Sequence, residues 1–350
     1  MINMIILIGN KLSSRGLNPT SIEKLSIDLG KSFRIESASD KKNIFLRIID
    51  IINLIFIYRK ICNLVIVDVF STRAFYFSGI VMLLSRFLKI QVAPVLRGGS
   101  LPARFNNNPI LFKFFFPENQ LVICPSSYLA DFFKTKKMNC KIIHNYIDIK
   151  DYSYKIRKEI KPKLLWVRSI HAIYNPLMAI HVLNETLKFS PDAELCMVGP
   201  FKDNTINKLR ELILFYELND RVKLTGKLSK KEWIELSAEY DIFINTTNFD
   251  NQPLSVIEAM ALGLLVVSTN AGGIPKMLIN NQTAKLVSIN NVNDMTNAIK
   301  EYLFDTMKSM EISANAREYV ELSFDQNIVI PQWIDLIENS INSDISFKKN

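Results

Sequence analysis

Cysteine and histidine are scarce in this chain, with four and three among 350 residues. Cys62, Cys124, Cys140 and Cys196 have neither metal-ligand spacing nor a paired pattern, so reduced thiols in a cytoplasmic protein are expected and a zinc site is not. His144, His171 and His181 are scattered and read as structural, with His171, close to Arg168, the first to test. Long apolar runs are also missing. Ile44 to Tyr58 is interrupted by Arg47 and Asp50, and Phe75 to Leu84 is too short to span a bilayer, so both read as buried or interfacial helices. The apolar run Met4 to Ile8 is short and has no basic start, so no secretory segment is expected. No zinc, aromatic ribonucleoprotein or recognition-helix motif supports nucleic-acid binding, and no short-period repeat is visible.

What the chain does have is a series of short apolar strands alternating with amphipathic helices, the pattern of an α/β protein with parallel sheets wound on both faces. In the second half, strands are expected at Lys163 to Ser169, Glu194 to Pro200, Arg221 to Gly226, Tyr240 to Asn245 and Leu264 to Ser268, with a helix over Pro176 to Phe189. In the first half they are expected at Ile5 to Ile8, Leu64 to Asp68, Ile90 to Leu96, Leu121 to Ser126 and Lys141 to Asn145. The length suits two domains, and the most charged connector, Ile149 to Lys161, sets the expected divisions at 1–150, 151–325 and 326–350. The last of these contains a helix around Gln332 to Ile341. Charge divides unevenly: residues 1–150 carry 21 Lys/Arg against 9 Asp/Glu, and the remainder 22 against 25. A basic first half suits an anionic membrane surface, nucleic acid or ordinary solvated surface, and composition does not choose among them.

One stretch carries more functional information than the rest. Asp250-Asn-Gln-Pro-Leu254-Ser255-Val-Ile-Glu258-Ala-Met-Ala-Leu-Gly263 places two carboxylates eight positions apart, and Leu-Leu-Val-Val-Ser-Thr-Asn-Ala-Gly272-Gly273-Ile-Pro275 follows. Ser255-x-x-Glu258 has the form of a capping box, which predicts a helix from Ser255 to Gly263. The apolar run after it predicts a buried parallel strand, and the glycine pair with Pro275 predicts a loop and a new helix start whose free amides could seat a phosphate. Taken singly, Glu258 is a cap, the glycines a turn and Asp250 a loop acid. Arg168, Gly199, Gly226, Asp250 and Gly272 all fall near expected carboxyl ends of strands, where ligands of such sheets bind.

This constellation resembles the donor-binding core of the GT-B retaining glycosyltransferases of family 4, which carry two acids eight apart, an Ala-Met-Ala-x-Gly turn, a Val-Val strand and a Gly-Gly-x-Pro loop. The resemblance implies a GT-B fold of two Rossmann-like doubly wound domains facing a central cleft. It also implies that Glu258 receives the ribose hydroxyls of a sugar nucleotide, while Asp250 and the following loop, with Leu254 and Ser255, face sugar and diphosphate. Arg168 matches the family arginine that binds diphosphate, with Gly199, Gly226, Gly272 and Gly273 on the donor side. Three departures stand out: Asp250 is a methylene shorter than the family glutamate, Asn251-Gln252-Pro253 replaces a common Gly-Phe-Gly, and Tyr174-Asn175-Pro176 occupies the place of a family lysine.

The loops Gly9 to Gly16 and Gly98-Gly99 resemble the family's acceptor-side loops, although glycine turns after strands have structural explanations equally. The resemblance implies transfer from a nucleotide-diphosphate sugar to a glycan or lipid-linked acceptor in cell-surface polysaccharide synthesis, without metal or other cofactor. Such an enzyme would be cytoplasmic and peripheral at the inner membrane face, with no nucleic-acid partner. The alternatives are a GT-B epimerase or phosphorylase, or a non-catalytic nucleotide-sugar-binding subunit.

Overall fold

A computed structural model describes residues 3–15 and 19–348, and divides them into two compact units, 1–145 with 327–350, and 146–326. In the first unit the described residues form β1 (Met4–Ile8), α1 (Ser21–Leu29), β2 (Arg34–Ala38), α2 (Ile44–Tyr58), β3 (Cys62–Val69), α3 (Ala74–Phe87), β4 (Gln91–Leu96), α4 (Leu101–Asn107), α5 (Pro109–Phe115), β5 (Leu121–Cys124), α6 (Ser127–Lys134) and β6 (Asn139–Ile142). The second contains β7 (Lys163–Val167), α7 (Pro176–Leu187), β8 (Glu194–Val198), α8 (Thr205–Phe215), β9 (Val222–Gly226), α9 (Lys230–Ser237), β10 (Ile242–Asn245), α10 (Leu254–Ala261), β11 (Leu265–Thr269), β12 (Lys285–Val287), α11 (Val292–Phe304) and α12 (Thr306–Ser323). A last helix, α13 (Gln326–Lys348), belongs to the first unit, where Asp335 meets Lys141 of β6 at 3.1 Å. It is longer at both ends than the expected Gln332 to Ile341.

Both sheets are parallel, ordered β2-β1-β3-β4-β5-β6 and β12-β11-β10-β7-β8-β9. Strand order therefore reverses between β1 and β3 in one unit and between β7 and β10 in the other. A crevice opens outside the carboxyl ends of the strands at such a reversal, because the flanking connections leave in opposite directions. In the second unit alternate strand residues feed two separate cores: Leu164 and Trp166 pack on one face and Leu165 on the other, as Ile242 and Ile244 do against Phe243. That two-faced burial accounts for the uninterrupted apolar runs of the sequence.

Boundaries differ in places. The sixth strand ends at Ile142, so Lys141 to Asn145 is mostly an exit segment. The charged connector docks on the second unit: buried Arg157 donates to Asp241 Oδ1 at 3.0 Å and to the Tyr240 and Leu262 carbonyls. The division consequently falls at Asn145, ahead of the connector.

Candidate active site

In the second unit, the reversal lies between β7 and β10, and Arg168 is the first residue beyond β7. Its backbone amide donates to Val198 O at 3.0 Å. Its carbonyl occupies the place of a side chain at Gly199, where an added Cβ would lie 1.7 Å away at φ +151°. Gly199 thus admits the Arg168 backbone, and its own amide donates to Gly226 O at 2.8 Å, which locks three adjacent strand ends together. Gly199 thereby supports the position of Arg168.

The guanidinium of Arg168 lies 4.8 Å from the centre of the Tyr174 ring and forms an ion pair with Asp250, on the loop that leaves β10. Burial pulls its pKa below the usual arginine value, partly offset by Tyr174, yet a guanidinium keeps its proton in proteins. Arg168 Nε is buried and has no hydrogen-bond partner among the described residues. Below the loop, Trp166 Nε1 donates to Thr246 Oγ1 at 2.9 Å, and Thr246 Oγ1 in turn reaches the carbonyls of Tyr174 and Asn175, each at 2.9 Å. Thr269 Oγ1 donates to Thr247 O at 2.6 Å. These bonds fix the loops that present Arg168 and Asp250.

The capping box expected at Ser255 does not form. Pro253 holds the extended N-cap conformation (φ −69°, ψ 116°), α10 starts at Leu254, and Ser255 falls inside the first turn. Its hydroxyl is buried without a hydrogen-bond partner among the described residues, and Leu254 beside it is half-buried. Glu258, released from capping, is buried; its Oε1 accepts from Tyr152 Oη at 3.1 Å and pairs with Lys230. Lys230 Nζ also donates to Tyr152 Oη at 2.9 Å. Burial, then the charges of Asp151 and Asp148, push the Tyr152 phenol above its usual range, so it remains a donor. Tyr152 and Lys230 were not foreseen. They lie 106 and 28 positions from Glu258, and no local pattern in the sequence marks them.

The glycine pair serves the protein. Gly272 has φ +59°, and a Cβ there would lie 2.1 Å from Asp250 O; one on Gly273 would lie 2.2 Å from Asn251 O. The Gly273 amide donates to Asp250 O at 2.8 Å, and the element after it is a single 3-10 turn, Ile274–Lys276. The new helix start is thus a single turn, the Gly273 amide is engaged by Asp250, and the pair lets this loop brace the Asp250 backbone. Asn175, at the place of the family lysine, adopts φ 47° and donates to Asn290 Oδ1 at 2.6 Å, so it adds no charge. Lys230 brings a cation to the same unit from another element. His171 Nδ1 accepts from the Ile173 amide at 3.1 Å and thereby caps the turn that carries Tyr174.

In the first unit, Gly9 and Gly98 also lie close against protein. A Cβ on Gly9 would lie 2.9 Å from Ile22, and one on Gly98 would lie 2.5 Å from the Ser71 amide nitrogen; Gly99 is in the next turn, and Gly16 lies outside the described residues. The strand reversal of this unit presents Asp68, paired with Arg97 at 2.9 Å, whose Nη1 donates to Asn145 Oδ1 at 2.5 Å. Beside the Gly98 loop lies a cavity of about 350 Å³ lined by Ser71, Tyr76, Ser100, Arg104, Asn107 and Asn108. Glu23 ties the loop after β1 by accepting from the amides of Leu12 (3.1 Å), Ser13 (3.0 Å) and Thr20 (2.8 Å). Among the described residues no group of three or more His, Cys, Asp or Glu is placed to hold a metal ion.

Two doubly wound parallel sheets, the second with the Arg168–Asp250 pair at its strand reversal, define the GT-B class of fold. Solved structures agree: sucrose-phosphate synthase from Thermosynechococcus elongatus has a TM-score of 0.79 at 15% identity, covering 97% of this chain and 100% of that one. HepE from Anabaena, solved with UDP, has a TM-score of 0.75 at 17% identity, again covering 97% and 100%. Residues 149–319 match the family described as glycosyl transferases group 1. The protein described as a putative colanic acid biosynthesis glycosyltransferase, WcaL, of Escherichia coli is 28% identical over 148 residues, which cover 40% of this chain and 36% of that protein. The matched regions span less than half the length of the curated relatives.

Proposed function

We propose that this protein is a retaining glycosyltransferase of family 4 that moves a sugar from a nucleotide-diphosphate sugar to a glycan or lipid-linked acceptor in cell-surface polysaccharide synthesis. The observation that carries the reading is the ion pair of Arg168 and Asp250 across the β7–β10 reversal, with Glu258 buried one helix further on. Arrival of a diphosphate exchanges Arg168 from Asp250 to phosphate oxygens, for which its planar fork and its unpartnered Nε are suited. Asp250 is then free to accept from a sugar hydroxyl. Glu258, held by Tyr152 and Lys230, accepts from the ribose hydroxyls, and the Ser255 hydroxyl donates to the diphosphate.

In the transfer the bond from the anomeric carbon to the diphosphate oxygen breaks, and its electron pair stays on the diphosphate, where Arg168 stabilises the growing charge. The acceptor oxygen bonds to the same face of that carbon, and its proton passes to the departing phosphate. Protein cations perform the neutralisation that a metal ion would otherwise supply, so no metal or other cofactor is assigned. The UDP of the HepE structure and the colanic acid in the E. coli relative's description support a nucleotide-sugar donor and a polysaccharide product. Four free cysteines support a reducing compartment such as the cytoplasm.

Incubation with radiolabelled uridine, guanosine and adenosine diphosphate sugars and lipid-linked acceptors, in EDTA, tests this reading. Transfer with the donor's anomeric configuration retained supports it. Isomerisation or phosphorolysis of the donor would make the chain an epimerase or phosphorylase, and tight binding without turnover would make it a non-catalytic subunit. Neither alternative has an observation in its favour over transfer.

A further inference from the structure

Arg168 is held in two different ways at once. Asp250 pairs with its charge, while the ring of Tyr174 lies 4.8 Å from the guanidinium carbon, over a face of the group. A guanidinium is planar: its edges carry the N–H donors and its faces carry none. An aromatic ring can therefore attract one face through its quadrupole and leave the donors to an anion. Burial works against the charge of Arg168, and Tyr174 works for it. The two partners are thus not equivalent. An incoming anion competes with Asp250 for the edge of the guanidinium, and it does not compete with Tyr174.

The ring is a fixed platform. It closes the short turn Ala172–Tyr174, whose amides are all engaged: Ala172 donates to Asp203 Oδ2 at 3.0 Å, Ile173 to His171 Nδ1 at 3.1 Å, and Tyr174 to His171 O at 2.9 Å. The Tyr174 carbonyl is reached by Thr246 Oγ1 at 2.9 Å, and the side chain packs against the core that contains Trp166 and Met178. The next residue, Asn175, is tied to Asn290 at 2.6 Å. A platform anchored on this many sides keeps its place when the guanidinium changes partner.

We infer that Tyr174 is a positioning residue for the diphosphate and acts through Arg168: its ring holds a face of the guanidinium while the edge passes from Asp250 to phosphate oxygens. The inference rests on the donor reading proposed above. In the stretch where relatives carry a lysine, this chain then aims its arginine by stacking and adds no second charge.

The test is isothermal titration of the full chain with uridine, guanosine and adenosine diphosphates and with inorganic pyrophosphate. The ligand that the native chain binds most tightly is then titrated into the variants. Tyr174→Phe keeps the ring and should bind within about twofold of the native chain. Tyr174→Leu packs without a ring and should bind up to about thirtyfold more weakly, the equivalent of about 2 kcal/mol for a desolvated cation–π contact. Tyr174→Met is a second ring-less variant and should behave as Tyr174→Leu does; circular dichroism checks the fold of each. Without Arg168 the ring has nothing to aim, so adding Tyr174→Leu to Arg168→Ala should cost less than about twofold. A tyrosine that only fills space would cost the same in both backgrounds.

The inference is overturned if Tyr174→Phe loses as much as Tyr174→Leu, if both ring-less variants bind as the native chain does, or if their loss persists in full without Arg168. Failure of the donor reading has a different signature: none of the nucleotides nor pyrophosphate binds the native chain, and the inference falls with it.

Discussion

Ser255→Ala should make the free protein more stable and its ligand binding weaker, an opposition that a purely structural serine does not produce. The Ser255 hydroxyl is buried at the second position of α10 and has no partner among the described residues. Burying an unsatisfied hydroxyl costs about 1–3 kcal/mol, which alanine removes. Alanine also gains about 0.5 kcal/mol in helix propensity. Against this, an oxygen-sized void of about 15 Å³ costs about 0.4 kcal/mol at ~24 cal/mol per Å³. The net gain of about 1–3 kcal/mol should raise the melting temperature of the second unit by roughly 2–4 °C per kcal/mol. Loss of one hydrogen bond to the anionic diphosphate, worth about 1.5–3 kcal/mol, should weaken nucleotide-diphosphate binding by roughly ten- to 150-fold. Differential scanning calorimetry with and without nucleotide identifies the unit that moves, because only the liganded unit shifts, and isothermal titration supplies Kd. A lower melting temperature together with an unchanged Kd would show that the hydroxyl is satisfied in the free protein and takes no part in binding.

Arg168→Ala should cost ~3–4 kcal/mol of transition-state stabilisation, a fall of hundreds-fold in kcat/KM, as for loss of a principal oxyanion donor; near-normal steady-state kinetics would remove the arginine from the mechanism. Glu258→Gln keeps an acceptor for Tyr152 but loses the charge, and should weaken nucleotide-sugar binding by ~1.5–3 kcal/mol while changing thermal stability by under about 1 kcal/mol, because its partner Lys230 is 45% exposed. Titration calorimetry and a melting curve separate the two effects, and full activity of this variant would exclude the ribose role. Burial raises the Glu23 pKa, but hydrogen bonds from the Ser13 hydroxyl and the Thr20, Leu12 and Ser13 amides outweigh it and hold the carboxyl at about 2 against an ordinary 4.5. A depressed carboxylate contributes stability above its unfolded pKa and loses it as pH falls through the folded one, so first-unit stability should decline from about pH 4.5 to 2. Glu23→Gln should flatten that decline in a circular dichroism titration, and a superimposable acid profile would refute the linkage.

Much of the architecture was legible because central parallel strands must be apolar on both faces, and runs such as Leu164 to Val167 or Leu264 to Val267 admit few other readings. β2 and β12 were missed for the converse reason. They lie at sheet edges, and Arg34-Ile-Glu-Ser-Ala38 and Lys285-Leu-Val287 carry polar residues or are too short to form a run. Local pattern also misled at Ser255-x-x-Glu258. Thr20-x-x-Glu23 and Ser229-x-x-Glu232 are the same motif and do form capping boxes. What separates the third case is Pro253, which fixes the extended cap conformation two residues before Ser255 and moves the helix start upstream.

The displacement of that cap bears on how the proposed donor site is held ready. Diphosphate needs cations and sugar hydroxyls need carboxylates, yet cations and carboxylates buried alone would each carry a desolvation cost of several kcal/mol. Here each acid is paired with a cation in the free protein: Asp250 with Arg168, and Glu258 with Lys230. Such pairs add little net stability, since desolvation offsets most of the Coulomb attraction. Their proposed consequence is low cost of exchange: a donor that brings phosphate to the cation and hydroxyls to the acid replaces one ion-paired arrangement with another and gives Arg168 Nε the partner it lacks. Had Glu258 capped its own helix, it could not serve this exchange, because its carboxylate would be held by backbone amides that no donor can replace. Moving the helix start to Leu254 leaves the carboxylate to Tyr152 and Lys230, whose side chains can turn toward a ligand while the helix stays intact.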